Sequence, residues 1–320
     1  AESKGAARKI AVTGGTGFVG RHVVRLLADE GPSGVVIARG VDPNPAPSVR
    51  NVTWVHGSVT DRKLLESTLA GCHAVAHLAG INLERPGQRF EDVHVRGTQN
   101  VVDAANANQV GKVALLSFLR ARPGTSSPYH ESKWQSEEIV RNSGLAYTIF
   151  KSGVIYGRGD HMLDHLSKVL HTVPVFPLVG FTDRGVRPVA VGDAAWAIAA
   201  SLIGDRLDNQ TVALLGPDEM PLGEAVRRVA AVTGRRTHTF RAPVALHKLH
   251  ALVLEKLMRI PPASRAQVQM LAEGIVEPWG DVSDLPPELA PVTPFSNTSI
   301  AAGLPPSGGF RRADLTMCSM

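Results

Sequence analysis

Residues Lys9 to Gly20 read KIAVTGGTGFVG and run into an apolar-periodic segment from Arg21 to Ala28. Ile10 to Val12 predict a short buried strand, and Gly14, Gly15, Gly17 and Gly20 then turn the chain into a helix. A glycine at such a turn lets the backbone take a positive φ, and a position without a side chain lets a phosphate approach the amides. From Gly15 the spacing is GxGxxG; from Thr13 it is TGxxGxxG. Strand before and amphipathic helix after supply the context that a dinucleotide-binding fingerprint needs, with the pyrophosphate at the positive end of the helix. The expected cradle is therefore Gly14, Thr16, Gly17, Phe18, Val19 and Gly20.

Working outward, Val35 to Ala38 predict a second buried strand ending at Arg39. A carboxylate at this place would bind the ribose 2′-hydroxyl of NAD, whereas an arginine pairs with a 2′-phosphate, so NADP is favoured over NAD. A proline-rich loop at 42–48 leads to a third strand, Val52 to His56, and Asp61 is placed to cap a following helix. His73 to Leu78 form a fourth apolar run that stops at Ala79-Gly80. Strands alternating with helices imply right-handed crossovers and a parallel sheet, with ligands at the carboxyl ends of its strands. That places Leu78, Ala79 and Gly80 at the ligand end.

Val93 to Asn108 predict a helix and Val113 to Phe118 a fifth strand, with Ser117 near its carboxyl end. Tyr129 and Lys133 follow on a predicted helix, four apart and so on one face. A neighbouring ammonium favours the phenolate and lowers a phenol's pKa from its usual value near ~10. Tyr129 is thus the candidate proton-transfer group, Lys133 its electrostatic partner, and Ser117 a candidate to hold a substrate oxygen; Ser126 and Ser127 compete for that last role.

The chain has 320 residues with 34 Lys and Arg against 29 Asp and Glu, a formal charge of +5. The basic residues fall in scattered pairs without aromatic interleaving, which argues against a nucleic-acid stripe. Two cysteines, Cys72 and Cys318, show no CxxC spacing, so neither a metal site nor a disulfide framework is expected and a reducing compartment is. The polar N-terminal stretch reads as no secretory signal, and Val189 to Gly204 is too short to span a bilayer. A cytoplasmic location follows, or an organelle matrix if a transit peptide has been removed.

These motifs together resemble the extended or atypical short-chain dehydrogenase/reductase family of NAD(P)-dependent epimerase/dehydratase type. The resemblance runs through TGGTGFVG, the HLAG turn at 77–80, RGTQNVVDAA at 96–105, YHESK at 129–133 and KSGVIYGRGD at 151–160. It implies Tyr129 as acid/base, Lys133 on the nicotinamide ribose, Ser117 as the third member, Ser58 and Val59 by the adenine, and Gly153 and Val154 by the nicotinamide. Two positions depart from the family pattern: His94 stands for an asparagine and Lys151 for an arginine. The short Ser117–Tyr129 interval and GVRPVAVGDAA at 185–195 are similar to the atypical branch, which includes the nucleotide-binding accessory subunit of respiratory complex I. That likeness implies NADPH held as a structural element.

The expected architecture is a Rossmann-type doubly wound parallel sheet over 1–160, completed by 187–216. A smaller, mostly helical substrate lobe follows over 161–186 and 217–300, and then a tail, 301–320. His161 and His165 share a helix but lack a metal-ligand set, Arg187 is the candidate substrate-side cation, and the Leu, Val and Met positions of 245–258 are expected to build core. The expected activity is NADP-preferring oxidoreduction or epimerisation of a small hydroxyl- or carbonyl-bearing substrate. The alternative is a non-catalytic, NADPH-binding assembly subunit, and a homo-oligomer or larger assembly is compatible with either.

Overall fold

The computed structural model describes residues 8–40, 51–182, 184–258, 261, 263–306 and 308–310. The proline-rich loop at 42–48 and Cys318 lie outside the described residues. In chain order the elements are β1 (Lys9–Thr13), α1 (Phe18–Asp29), β2 (Ser33–Ala38), β3 (Val52–His56), α2 (Arg62–Thr68) and β4 (Ala74–His77). A π-helical turn (Glu91–Arg96) then runs into α3 (Gly97–Ala107), followed by β5 (Lys112–Phe118), α4 (Pro128–Arg141), β6 (Ala146–Ser152) and β7 (Ile155–Tyr156). Next come α5 (His161–Thr172), β8 (Val175–Val179), β9 (Gly185–Val186), β10 (Val189–Ala190), α6 (Val191–Ile203), β11 (Gln210–Leu214) and β12 (Met220–Pro221). The last are α7 (Leu222–Val232), β13 (His238–Ala242), α8 (Val244–Leu257), α9 (Arg265–Glu273), β14 (Ser283–Asp284) and α10 (Asn297–Gly303).

The chain divides into two units, one formed by residues up to 152 with 191–214 and 278–290, the other by 153–190, 215–277 and 291 onward. The first unit is an eight-stranded parallel sheet in the order β14-β11-β6-β5-β4-β1-β2-β3. Ile10, Ala11 and Val12 are all buried, as are Val35, Val36 and Ile37, because both faces of a parallel sheet are covered and its strands read as continuous apolar runs. α1 packs with α6, and α2, α3 and α4 pack in succession, which gives the doubly wound arrangement. The strand order reverses between β1 and β4, so the carboxyl ends of these two strands open the crevice where such folds bind ligands.

The second unit has a core of Tyr156, Leu163, Leu166, Leu170, Val226, Val229, Phe295 and Ile300. The segment 174–188 contains β8, which pairs in parallel with β13, and β9, which pairs antiparallel with β12. Pro177 sits within β8, a place proline tolerates on an edge strand. The unit boundary falls at 152 rather than 160, since Val189 donates its amide to the Val154 carbonyl at 2.9 Å and β7 pairs with β10. The stretch 278–290, expected in the substrate lobe, instead joins the first unit and adds β14 to its sheet. Residues 301–303, expected in the tail, close α10.

α8 corrects another expectation. Its Leu246, Leu249, Val253 and Leu257 are 44 to 58% exposed, and Ala251 is its buried residue. The helical period was legible, but spacing alone does not say which stripe faces inward when leucine lies on both.

Candidate functional site

The glycine turn is built by close approach. Gly14 has φ +73°, and a Cβ there would stand 2.8 Å from the backbone of Ala79. A Cβ on Gly20 would stand 2.2 Å from the Gly14 carbonyl oxygen, so the last glycine lets α1 close onto the turn. Gly17 is the N-cap of α1 and offers no side-chain cap; the first turn, beginning Phe18-Val19-Gly20, carries no acid. No side chain caps the amides at the positive end of this 12-residue helix and its first turn holds no acid, which fits a dinucleotide pyrophosphate. Arg39 follows β2 directly and is exposed, compatible with a 2′-phosphate. Val59 is buried against Gly97, and the Ser58 hydroxyl accepts from Thr60.

Behind the cradle runs an ordered chain of hydrogen bonds. Thr98 Oγ1 donates to the His94 carbonyl and so accepts from His77 Nε2 at 3.0 Å. His77 Nδ1 is then the acceptor for the Thr13 hydroxyl at 2.7 Å. These bonds tie the ends of β1 and β4 together through a neutral imidazole. Burial, with the nearby Lys133 charge, brings the His77 pKa down to about 3. His94 follows the same logic. The Ile81 amide donates to its Nε2 at 3.1 Å, leaving Nδ1–H to meet Ser132 Oγ at 2.9 Å, whose own hydrogen goes to the Tyr129 carbonyl at 3.0 Å. Burial first, then the charge of Lys133, holds His94 well below its ordinary pKa.

Tyr129 and Lys133 share one face of α4, and Pro128 starts that helix at its first turn. Lys133 Nζ donates to the Leu116 carbonyl at 3.2 Å and lies beside Gly80, where a Cβ would stand 3.3 Å from it. Its pKa falls to about 8 through burial, partly offset by Glu137. Tyr129 is 7% exposed within a ring of Phe90, His94, Phe118 and His130, with centroids 5.5 to 6.1 Å away and edge-to-face geometry. The expected lowering of its pKa is not what the structure gives. The apolar ring disfavours the phenolate, and burial raises the phenol above its usual value.

Ser117 sits next to Leu116, whose carbonyl accepts from Lys133. It donates to Glu137 Oε1 at 2.5 Å, while Lys151 Nζ (3.2 Å) and Arg141 Nη2 (3.0 Å) reach Glu137 Oε2. Glu137 and Lys151 are at most 1% exposed. Lys151, the departure from arginine, also donates to the Ala121 carbonyl at 3.0 Å and lies over the Trp279 ring. The structure thus brings together Tyr129, Lys133, Gly80 and His94, and puts Ser117 in a buried ion cluster. Ser127 hydrogen-bonds His130 Nδ1 at 2.6 Å.

Gly153, Val154 and Arg187 belong to the second unit. A Cβ on Gly153 would lie 2.4 Å from the Ile275 side chain. Arg187 Nε and Nη2 both donate to the Gly216 carbonyl, at 3.2 and 3.0 Å, so this guanidinium joins the segment between β9 and β10 to the one that follows β11. In the same unit Asp160 caps α5 through the Leu163 amide, and His161 and His165 stack with centroids 5.7 Å apart.

A protein-family profile described as NAD(P)H-binding matches residues 14–164. A ceramide reductase of Caulobacter vibrioides is 30% identical over 234 residues, 73% of this chain and 73% of that protein. The mitochondrial 40 kDa subunit of NADH-ubiquinone oxidoreductase from Neurospora crassa is 24% identical over 266 residues, 81% of this chain and 69% of that one. Among solved structures, the UDP-glucose 4-epimerase of Thermotoga maritima with UDP-glucose superposes with a TM-score of 0.62 at 22% identity, covering 73% of this chain and 85% of the other. The fold and the glycine cradle define a nucleotide-binding Rossmann protein. The chain belongs to the extended short-chain dehydrogenase/reductase family of NAD(P)-binding proteins.

Proposed function

We propose that this chain is an NADP-preferring oxidoreductase that works on a small carbonyl- or hydroxyl-bearing substrate, with Tyr129 as the proton-transfer group and Lys133 as its partner. The observation that carries this reading is the pairing of Tyr129 and Lys133 on one face of α4, with Lys133 beside Gly80 at the ligand end of β4. A bound nicotinamide supplies or accepts the hydride. A neutral phenol is the form that donates a proton, and burial keeps Tyr129 in that form, which suits the reductive direction, in which its O–H passes to the developing alkoxide oxygen. Lys133 is suited to hold the nicotinamide ribose and to stabilise the phenolate left behind. The relative named ceramide reductase supports the reductive direction and an apolar substrate in place of a sugar nucleotide. Arg39 supports the preference for a 2′-phosphate.

The test is NADPH oxidation against a panel of aldehydes and ketones by the wild type and Tyr129→Phe. Turnover in the first and its loss in the second, with cofactor binding kept, supports the reading; equal rates refute it.

One observation favours a second reading, a cofactor-holding subunit of a larger assembly. Ser117 is committed to Glu137, which leaves the oxygen-holding role without the serine expected for it, and a complex I subunit is among the relatives. In that reading cofactor stays bound through purification and Tyr129→Phe changes nothing.

A further inference from the structure

α8 carries its apolar residues on the outside. At 3.6 residues per turn, Leu246, Leu249, Val253 and Leu257 fall on one stripe, with His250 at its edge and Lys256 beside it. All four are 44 to 58% exposed. The surface extends past the start of the helix. Gly180 donates its amide to the Ala242 carbonyl at 2.8 Å and packs near Val244, which holds the next residue, Phe181, close to the N-terminal end of α8 at 71% exposure. Arg241 Nη1 donates to the Phe181 carbonyl at 3.1 Å, and Phe240 beside it is 50% exposed.

α8 itself carries two lysines, Lys248 and Lys256, and a single acid, Glu255. Glu255 is only 10% exposed and is spent on Arg265, at 3.0 Å to its Nε and 2.7 Å to its amide. What remains on this helix is leucine and valine together with Lys248 and Lys256. That pairing matches an interfacial helix, whose apolar face enters the acyl boundary while lysine and arginine meet anionic headgroups.

We propose that α8, with Phe181, docks this chain peripherally onto an anionic bilayer surface. The proposal is independent of the redox reading. It is tested by flotation of the full chain with vesicles of phosphatidylcholine alone, or of phosphatidylcholine and phosphatidylglycerol in equal parts, at low and high salt, with sedimentation in the absence of lipid. The expected result is flotation with the anionic vesicles, weakened by salt, absent with neutral ones, and reduced about tenfold or more in Leu249→Glu and in Phe181→Ser. Both substitutions are at exposed positions, so circular dichroism should show intact folding. No flotation, equal flotation with neutral vesicles, or a lipid-independent dimer broken by Leu249→Glu would overturn the proposal.

Discussion

Ser117 donates its hydroxyl hydrogen to Glu137 across 2.5 Å, and this bond ties the serine into a buried ion cluster. Replacing Ser117 with alanine leaves Glu137 Oε1 short of a donor. The expected cost is about 1–2 kcal/mol of stability by chemical denaturation, with NADPH affinity unchanged. Glu137→Ala is worse, because it strands the buried Lys151 charge, and should cost about 3–5 kcal/mol.

Tyr129→Phe keeps the ring that packs among Phe90, His94 and Phe118 and removes only the hydroxyl. Stability and cofactor affinity should stay near wild type while turnover drops by about 10²-fold or more. Steady-state rates with calorimetric binding on the same samples separate the two effects.

Lys133 is a cation below about pH 8. As pH rises through that value it loses its charge, so cofactor affinity carried by the ammonium should weaken above pH 8. Lys133→Met should show the weak binding at every pH. A titration series from pH 6.5 to 9.5 checks both, about 1.5 units either side of the transition.

His77 is neutral in the fold, with a pKa near 3 against about 6.5 when unfolded. The unfolded chain therefore binds the extra proton first, and stability falls as pH drops below 6.5. This residue alone should remove about 2 kcal/mol between pH 6.5 and 5, and buried His94 acts in the same direction. Urea midpoints measured across that range should slope downward toward acid, less steeply in His77→Gln.

Gly20→Ala drives a Cβ to 2.2 Å from the Gly14 carbonyl and should cost about 1–3 kcal/mol together with NADPH binding. Gly192→Ala, within α6 and facing open space, should instead stabilise by about 0.5–1 kcal/mol. Thermal melts of the two variants distinguish a built cradle from generic glycine content.

How much of this could be read beforehand depends on the kind of signal. KIAVTGGTGFVG combines a buried strand, a helix and the glycines that join them, so each level points the same way and the Rossmann sheet follows. β14 is two exposed residues, Ser283 and Asp284, with no apolar pattern, and only its pairing with β11 reveals it. The interval from Ser117 to Tyr129 suited a shared site, but the direction of Ser117 depends on Glu137 and Lys151, 20 and 34 residues further along the chain. Tyr129 was visible, whereas the aromatic ring around it comes from Phe90 and His94 at the π-helical turn and Phe118 at the end of β5. His94 was detectable as a departure from the family pattern, and its hydrogen bond from the Ile81 amide gives it a place in the site.

The most direct measurement is calorimetric titration of the purified chain with NADPH and with NADH, alongside Arg39→Ser. The account predicts tight NADPH binding, much weaker NADH binding, and loss of that difference in the variant while residual binding persists. No heat with either cofactor, in protein shown to carry none through purification, would contradict the cradle at Gly14 to Gly20 and the redox reading built on it.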